Sequence, residues 1–145
     1  MNIVLPDGSV KELEEAATVA DVAASIGAGL ARAALAGIVD DTPVDLDAVV
    51  SDGDSVAIVT AKSDEGLELM RHSTAHLLAA ALTDLYPGVK FGVGPAIENG
   101  FYYDIELPEG ATVSPDDFAA IEARMAEIAK SAAAITRREV TRDEA

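Results

Sequence analysis

An α+β fold is predicted for this chain, from three observations. Its opening residues alternate short strand-like apolar runs with turn residues around one early helix. A long helical period follows from about residue 64. A glycine-punctuated aromatic run comes next, and then a well-marked helix start at Ser114.

Asn2-Ile3-Val4-Leu5 reads as a short strand, Pro6-Asp7-Gly8-Ser9 as a turn, and residues 10–13 as the returning strand of a hairpin. Thr18, with Asp21 three residues on, resembles a capping box, shorter in reach than one built on Glu. The helix it opens should run to Ile26 and stop at Gly27-Ala28-Gly29. Residues 33–39 read as extended, Asp40-Asp41 as a turn into Thr42-Pro43-Val44, and Ser51-Asp52-Gly53-Asp54 as another turn. Residues 55–60 form the last strand. The order is hairpin, helix, hairpin, final strand: a sheet with one helix across its face, as in the ubiquitin-like β-grasp. Acids in turns are normally solvated, and this region carries no histidine and no phosphate-binding glycine loop, so binding or structural use is expected. Residues 61–66 read as a short linker.

Composition narrows the function classes. Half the residues are apolar, so a real core is available, but only 4% are aromatic. The formal charge of −16 opposes broad contact with phosphate backbones, which depends on Lys and Arg displacing counterions. Such an acidic excess also serves solubility. With no cysteine, disulfides and thiolate metal sites are excluded, which fits a cytoplasmic setting. No run approaches a membrane span of about 20 residues, and no secretion signal is visible.

The two histidines of the chain, His72 and His76, stand four apart in Arg71-His72-Ser73-Thr74-Ala75-His76-Leu77-Leu78. A helix over residues 64–86 puts them on one face, one turn apart. Leu67, Met70, Leu77, Leu78, Ala81, Leu82 and Leu85 share a broad arc, and the histidines lie far from its centre, beside Ala79, Ala80 and Thr83. Three readings remain: exposed histidines of no consequence, a zinc site, or an acid–base site. Zinc is disfavoured, because Ser73 stands where a metalloprotease motif needs Glu, and two ligands are too few. Imidazole suits proton transfer near neutral pH.

The run Phe91-Gly92-Val93-Gly94-Pro95-Ala96-Ile97-Glu98-Asn99-Gly100-Phe101-Tyr102-Tyr103-Asp104 lets the backbone approach a ligand at its glycines. Residues 101–105 alternate as a strand, which points one tyrosine inward and the other out. A hairpin packed on the histidine helix explains the aromatics equally well, so the residues alone define a candidate pocket. Ser114-Pro115-Asp116-Asp117 then starts a helix, with Phe118, Ile121, Met125, Ile128 and Ala132 as an apolar stripe expected to pack in a core. Residues 135–140 read as a basic strand with Arg137, Arg138 and Arg142 nearby. Thr141-Arg142-Asp143-Glu144 matches a capping box just before Ala145, which suggests the N-terminal piece of something longer.

These residues match a known family. Residues 1–62 resemble the TGS domain. His72-Ser73-Thr74-Ala75-His76-Leu77-Leu78 with Gly94-Pro95-Ala96-Ile97-Glu98-Asn99-Gly100-Phe101-Tyr102-Tyr103-Asp104 resemble the editing domain of bacterial threonyl-tRNA synthetases. The expected organisation is a β-grasp TGS domain over 1–62, then over 63–145 the N-terminal part of a threonyl/alanyl-tRNA synthetase-type editing domain, incomplete and carrying the HxxxH helix. The resemblance implies ATP-dependent attachment of threonine to its tRNA and hydrolysis of tRNA mischarged with serine. It places His72 and His76 in the editing pocket, handling the tRNA terminus or the hydrolytic water, and Gly94 and Tyr103 along its lining. The family's pocket also uses a lysine and a Cys-x-x-x-His pair that these residues do not include, so the fragment by itself is expected to be inactive.

The same resemblance implies no cofactor or metal within these residues, with ATP, Mg and Zn belonging to the synthetase core. The implied partner is threonine tRNA, with a homodimer formed through that core, no DNA or membrane partner, and a cytoplasmic location. The alternatives are a stand-alone TGS-containing adaptor module and a free-standing trans-editing factor.

Overall fold

The computed structural model describes residues 1–133 and 139–144 of the chain. Two compact units divide it, Met1–His72 and Ser73–Ala145.

In the first unit, β1 (Asn2–Val4) and β2 (Val10–Glu12) form an antiparallel hairpin with Ile3 opposite Lys11. Its turn is held by Asp7, whose carboxylate accepts from the Ser9 hydroxyl at 2.6 Å and the Ser9 N–H at 2.9 Å. Gly8 supplies the left-handed residue the turn needs, at φ +81°. Helix α1 (Val19–Ile26) is opened by the expected capping box. The Asp21 carboxylate accepts from the Thr18 N–H at 2.8 Å and its hydroxyl at 2.7 Å, and Thr18 Oγ1 accepts from the Asp21 N–H at 3.3 Å.

Gly27 ends α1 after Ile26, as expected, but no loop follows it. It is extended (φ 168°) and links α1 to a second short helix, α2 (Ala28–Ala33), so that strand β3 (Ala34–Val39) begins later than the reading of 33–39. Ala28, Leu30, Ala31 and Arg32 are all strong helix formers, and they outweigh Gly29. β3 turns through Asp40 and Asp41 into β4 (Thr42–Val44), both turn residues lying at positive φ, +46° and +63°. That pair of angles is the two-residue hairpin turn whose twist matches the strands, and Asp tolerates it better than most residues.

The last strand, β5 (Val56–Thr60), pairs with β3 on the side away from β4. A parallel bridge between Val4 and Ser55, with the Val4 N–H donating to Asp54 O at 2.8 Å, seats β1 beside the start of β5. The strand sequence across the unit is therefore β2-β1-β5-β3-β4. Ile3, Val19, Val22, Val50 and Val56 form its core, each 2% exposed or less. α1 packs closely on β3: a Cβ at Gly37 would stand 2.6 Å from Val19 Cγ1, so only glycine fits there without a shift. Among the described residues, no helix is long and apolar enough to cross a membrane.

The expected linker at 61–66 is a tight helix cap. Ser63 donates through its N–H to Thr60 O at 3.1 Å, and its hydroxyl accepts from the Gly66 N–H at 3.1 Å. Gly66 is buried, and a Cβ there would fall 1.9 Å from Thr60 O. Ser63 thus caps α3 (Asp64–Leu85), a helix that crosses the boundary between the units.

In the second unit, β6 (Lys90–Phe91) pairs antiparallel with β9 (Ile105–Glu106), and between them β7 (Ala96–Ile97) pairs with β8 (Gly100–Phe101). A 3-10 turn at Pro115–Asp117 leads into α4 (Phe118–Ser131). The Asp117 carboxylate accepts from the Ser114 N–H at 2.8 Å and hydroxyl at 2.9 Å, as the sequence signals. Arg124 of α4 donates from Nε and Nη2 to Asp84 Oδ2 at 2.9 and 2.7 Å, and from Nη1 to Glu127 Oε2 at 2.8 Å. The clasp is exposed, so solvent screens it and it adds little to stability. At the chain's end the Glu144 carboxylate accepts from the Thr141 N–H and hydroxyl, the reach expected of the capping box. Of the basic strand expected at 135–140, residues 135–138 lie outside the described residues; described residues 139 and 140 are not in a strand.

The carboxylates in these caps carry an acid prediction. Donation from the Thr18 N–H, then from its hydroxyl, holds the Asp21 carboxyl below the ordinary value. A depressed folded value means that the stabilisation is complete above the unfolded value of about 3.9 and is lost as pH falls through the folded one. Asp21→Asn should therefore melt lower than the parent at neutral pH, with the gap closing in acid. Thr18→Ala should cost about 1 kcal/mol at neutral pH. Thermal melts from pH 7 to pH 3 read both effects.

Candidate functional site

Helix α3 carries both histidines, and both are exposed, as their place off the leucine arc requires. His72 closes the first unit, and His76 belongs to the second. The arc itself is only partly covered. Ala81 and Leu82 are buried, as is Ala75 at the arc's side, whereas Leu67, Met70 and Leu85 are 40, 45 and 39% exposed. The helix thus buries two alanines and Leu82 rather than the full leucine stripe.

The glycine-punctuated run forms a second wall within the second unit. Beyond the β6–β9 pairing, the Gly92 N–H donates to Asp104 O at 2.8 Å and the Asp104 N–H to Val93 O at 2.9 Å. This extension carries Gly94 under the ring of Tyr103. A Cβ on Gly94 would lie 2.8 Å from Cγ, Cδ2 and Cε2 of that ring, so the tyrosine rests on bare backbone. Phe91 meets the same ring edge-on, with centroids 5.3 Å apart and planes at 66°. Gly94 and Tyr103, which the resemblance places along one lining, are therefore in direct contact.

The expected strand over 101–105 is interrupted, since residues 102–104 belong to neither β8 nor β9. Its alternation survives, because Tyr102 is 50% exposed and Tyr103 is half-buried. The backbone crossing from one short hairpin to the other breaks the ladder without reversing the faces.

Tyr103 also borders an apolar cavity of about 430 Å³ between α3, the hairpins and α4, lined by Leu78, Leu82, Phe101, Ile121 and Met125 among others. The α4 stripe was expected to be core, yet only Ile121 is buried and Phe118 is 54% exposed. Phe118, Ile121 and Met125 of the stripe line this open cavity, which accounts for the exposure of Phe118. Leu82 and Met125 carried no site signal in sequence, because the contacts that recruit them are non-local. His76 and Gly94 are not among the described residues lining the cavity. No group of three or more His, Asp or Glu converges as a metal site among the described residues.

Gly94→Ala should push the Tyr103 ring off its seat and cost about 1–3 kcal/mol, the usual penalty of overpacking. A change in the near-ultraviolet tyrosine signal, with a lower melting temperature for the second unit, would register it.

The first unit defines the class: residues 1–60 match the TGS domain family and are a TGS domain, a ubiquitin-like β-grasp. The similarity extends further, and to one enzyme. Over all 145 residues the chain is 53% identical to the threonine–tRNA ligase of Burkholderia multivorans, and 52% identical to those of Burkholderia mallei and Burkholderia pseudomallei. The match covers the whole of this chain and lies in the N-terminal part of those ligases, of whose length the chain spans 22%.

Proposed function

We propose that the chain is the N-terminal portion of a threonine–tRNA ligase, and that residues 63–145 contribute to hydrolytic removal of serine from mischarged tRNA. The observation that carries this reading is a match at 53% identity that spans all 145 residues, the stretches holding the histidine pair and the glycine–tyrosine run included. The chemistry supplies the need. Serine differs from threonine by one methyl group, worth only about 1–3 kcal/mol of discrimination, so a second, hydrolytic site must clear the errors. Two exposed imidazoles a helical turn apart can move protons near neutral pH or hold a water against an ester carbonyl. In this reading His72 and His76 handle the tRNA terminus or the attacking water, and Gly94 and Tyr103 shape the lining.

ATP, magnesium and zinc are assigned to the remaining length of the ligase, as are the homodimer contact and aminoacylation itself. The ligase acts on threonine tRNA in the cytoplasm. These 145 residues alone leave seryl-tRNA intact.

A chimera tests the reading. The 145 residues replace the matching N-terminal part of the Burkholderia multivorans ligase, and threonylation and seryl-tRNA deacylation are both measured. Both activities are expected in the chimera, and no deacylation is expected from the isolated chain. A chimera that threonylates normally but leaves seryl-tRNA intact would overturn the editing role. Deacylation by the isolated chain at the chimera's rate would overturn its dependence on the rest of the ligase.

A further inference from the structure

The chain contains two side-chain amides in all, Asn2 and Asn99, and no glutamine. Their settings differ sharply. Asn2 lies in β1, is paired with Glu12 and is followed by the fully buried Ile3. Asn99 is exposed, and its side chain makes no hydrogen bond among the described residues. It occupies the turn between β7 and β8, and Gly100 follows it.

We propose that Asn99 is a site of spontaneous deamidation and isoaspartate formation in the folded protein. The nucleophile is the backbone nitrogen of Gly100, which loses its proton to solvent base and bonds to the Asn99 side-chain carbonyl carbon. The bond from that carbon to the side-chain nitrogen breaks, and ammonia leaves with a proton taken from water. The cyclic imide so formed adds one water across either of its two C–N bonds. One opening gives aspartate and the other isoaspartate, in which the chain runs through the side-chain carbon.

The Gly100 nitrogen sits in the ladder opposite Ile97, so the reaction proceeds through opening of the hairpin, which the local structure leaves easy. Glycine adds no side chain beside the attacking nitrogen, and an ideal Cβ at Gly100 would meet nothing within 4 Å, so the turn is open on that side. The β7–β8 ladder holds just two residue pairs, Ala96↔Phe101 and Ile97↔Gly100, and so short a hairpin opens readily. The other residues that could form such an imide next to glycine, Asp7 and Asp52, are restrained by contrast. Asp7 Oδ1 accepts from Ser9, and Asp52 Oδ1 accepts from the Asn2 N–H.

The product has a structural consequence at the second wall of the candidate site. Isoaspartate inserts an extra backbone carbon just before Gly100-Phe101. The register that leads through Tyr102 to the seat of Tyr103 on Gly94 cannot be kept. The modification therefore ages the hairpin from outside the pocket, and it depends on no assigned activity.

The test incubates the full chain at pH 7 and pH 9, folded and in concentrated urea, and follows the Asn2 and Asn99 peptides by mass spectrometry. An isoaspartate-specific methyltransferase marks the rearranged product. The Asn99 peptide should convert progressively, faster at pH 9, at a folded rate within about tenfold of the urea rate, as a locally opening segment allows. The Asn2 peptide should keep its amide, and Asn99→Gln should remove both the acid product and the methyl acceptor. A folded rate slower than the urea rate by several orders of magnitude would overturn the proposal, as would equal conversion at Asn2.

Discussion

Ile3→Ala is expected to unfold the TGS unit at temperatures the parent withstands. Ile3 is fully buried in β1 and sits in the cluster formed with Val19, Val22, Val50 and Val56. β1 also meets the segment leading into β5 through the bridge from Val4 to Ser55, so a loosened Ile3 weakens the seam that joins the hairpin to the rest of the sheet. Truncation at such a site costs about 2–5 kcal/mol, transfer and cavity terms together. Domains are stable by about 5–15 kcal/mol, and small ones bury proportionately less surface. Each kcal/mol moves the midpoint of a domain this size by about 4–8 °C, so a fall of about 10 °C or more is expected. Amide exchange at Ile58 in β5 reads the loss in this unit alone. Ile26→Ala is the control, since Ile26 is 42% exposed and its truncation should change stability by about 0.5 kcal/mol or less. Equal effects from the two substitutions would refute this account of the core.

The elements that sequence made legible are those set by local chemistry. The Thr18/Asp21 cap, the Asp40-Asp41 turn and the Ser114-Pro115 helix start each depend on residues within three positions of one another, and each stands where it was read. The failures have the opposite character. The second short helix went unread: Gly27 does end α1, but in an extended rather than a left-handed conformation, and a new helix begins directly after it. Ser63 looked like linker because its partners, Thr60 O and the Gly66 N–H, become neighbours only once β5 is followed by the helix.

The candidate site divides along the same line. The histidines' exposure followed from helical period alone, since one face of a helix cannot also be the opposite face. The seat of the Tyr103 ring on Gly94 could not be read, because it rests on a β6–β9 register that no local pattern fixes. The α4 stripe shows the limit of periodicity most clearly. Phe118, Ile121 and Met125 do share a face, but whether that face is covered depends on which other surfaces meet it.

His72→Ala and His76→Ala, made in the chimeric ligase, should each slow seryl-tRNA deacylation by about 10²-fold or more, the usual contribution of a positioned acid–base group. Threonylation should stay at the parental rate, because the pair belongs to the proposed editing function and not to the attachment step. Folding is a minor concern, since both side chains are exposed on α3 and alanine is the strongest helix former. The two possible roles separate by rescue. Free imidazole restores part of the rate where the lost side chain moved a proton. Glutamine at the same position restores part where the side chain held a water or the tRNA terminus by hydrogen bonding. Because both residues serve one reaction, the double variant should lose little more than the worse single one. Parental deacylation by both alanine variants would remove the histidines from the site and return them to the solvent-facing reading that their spacing alone permits.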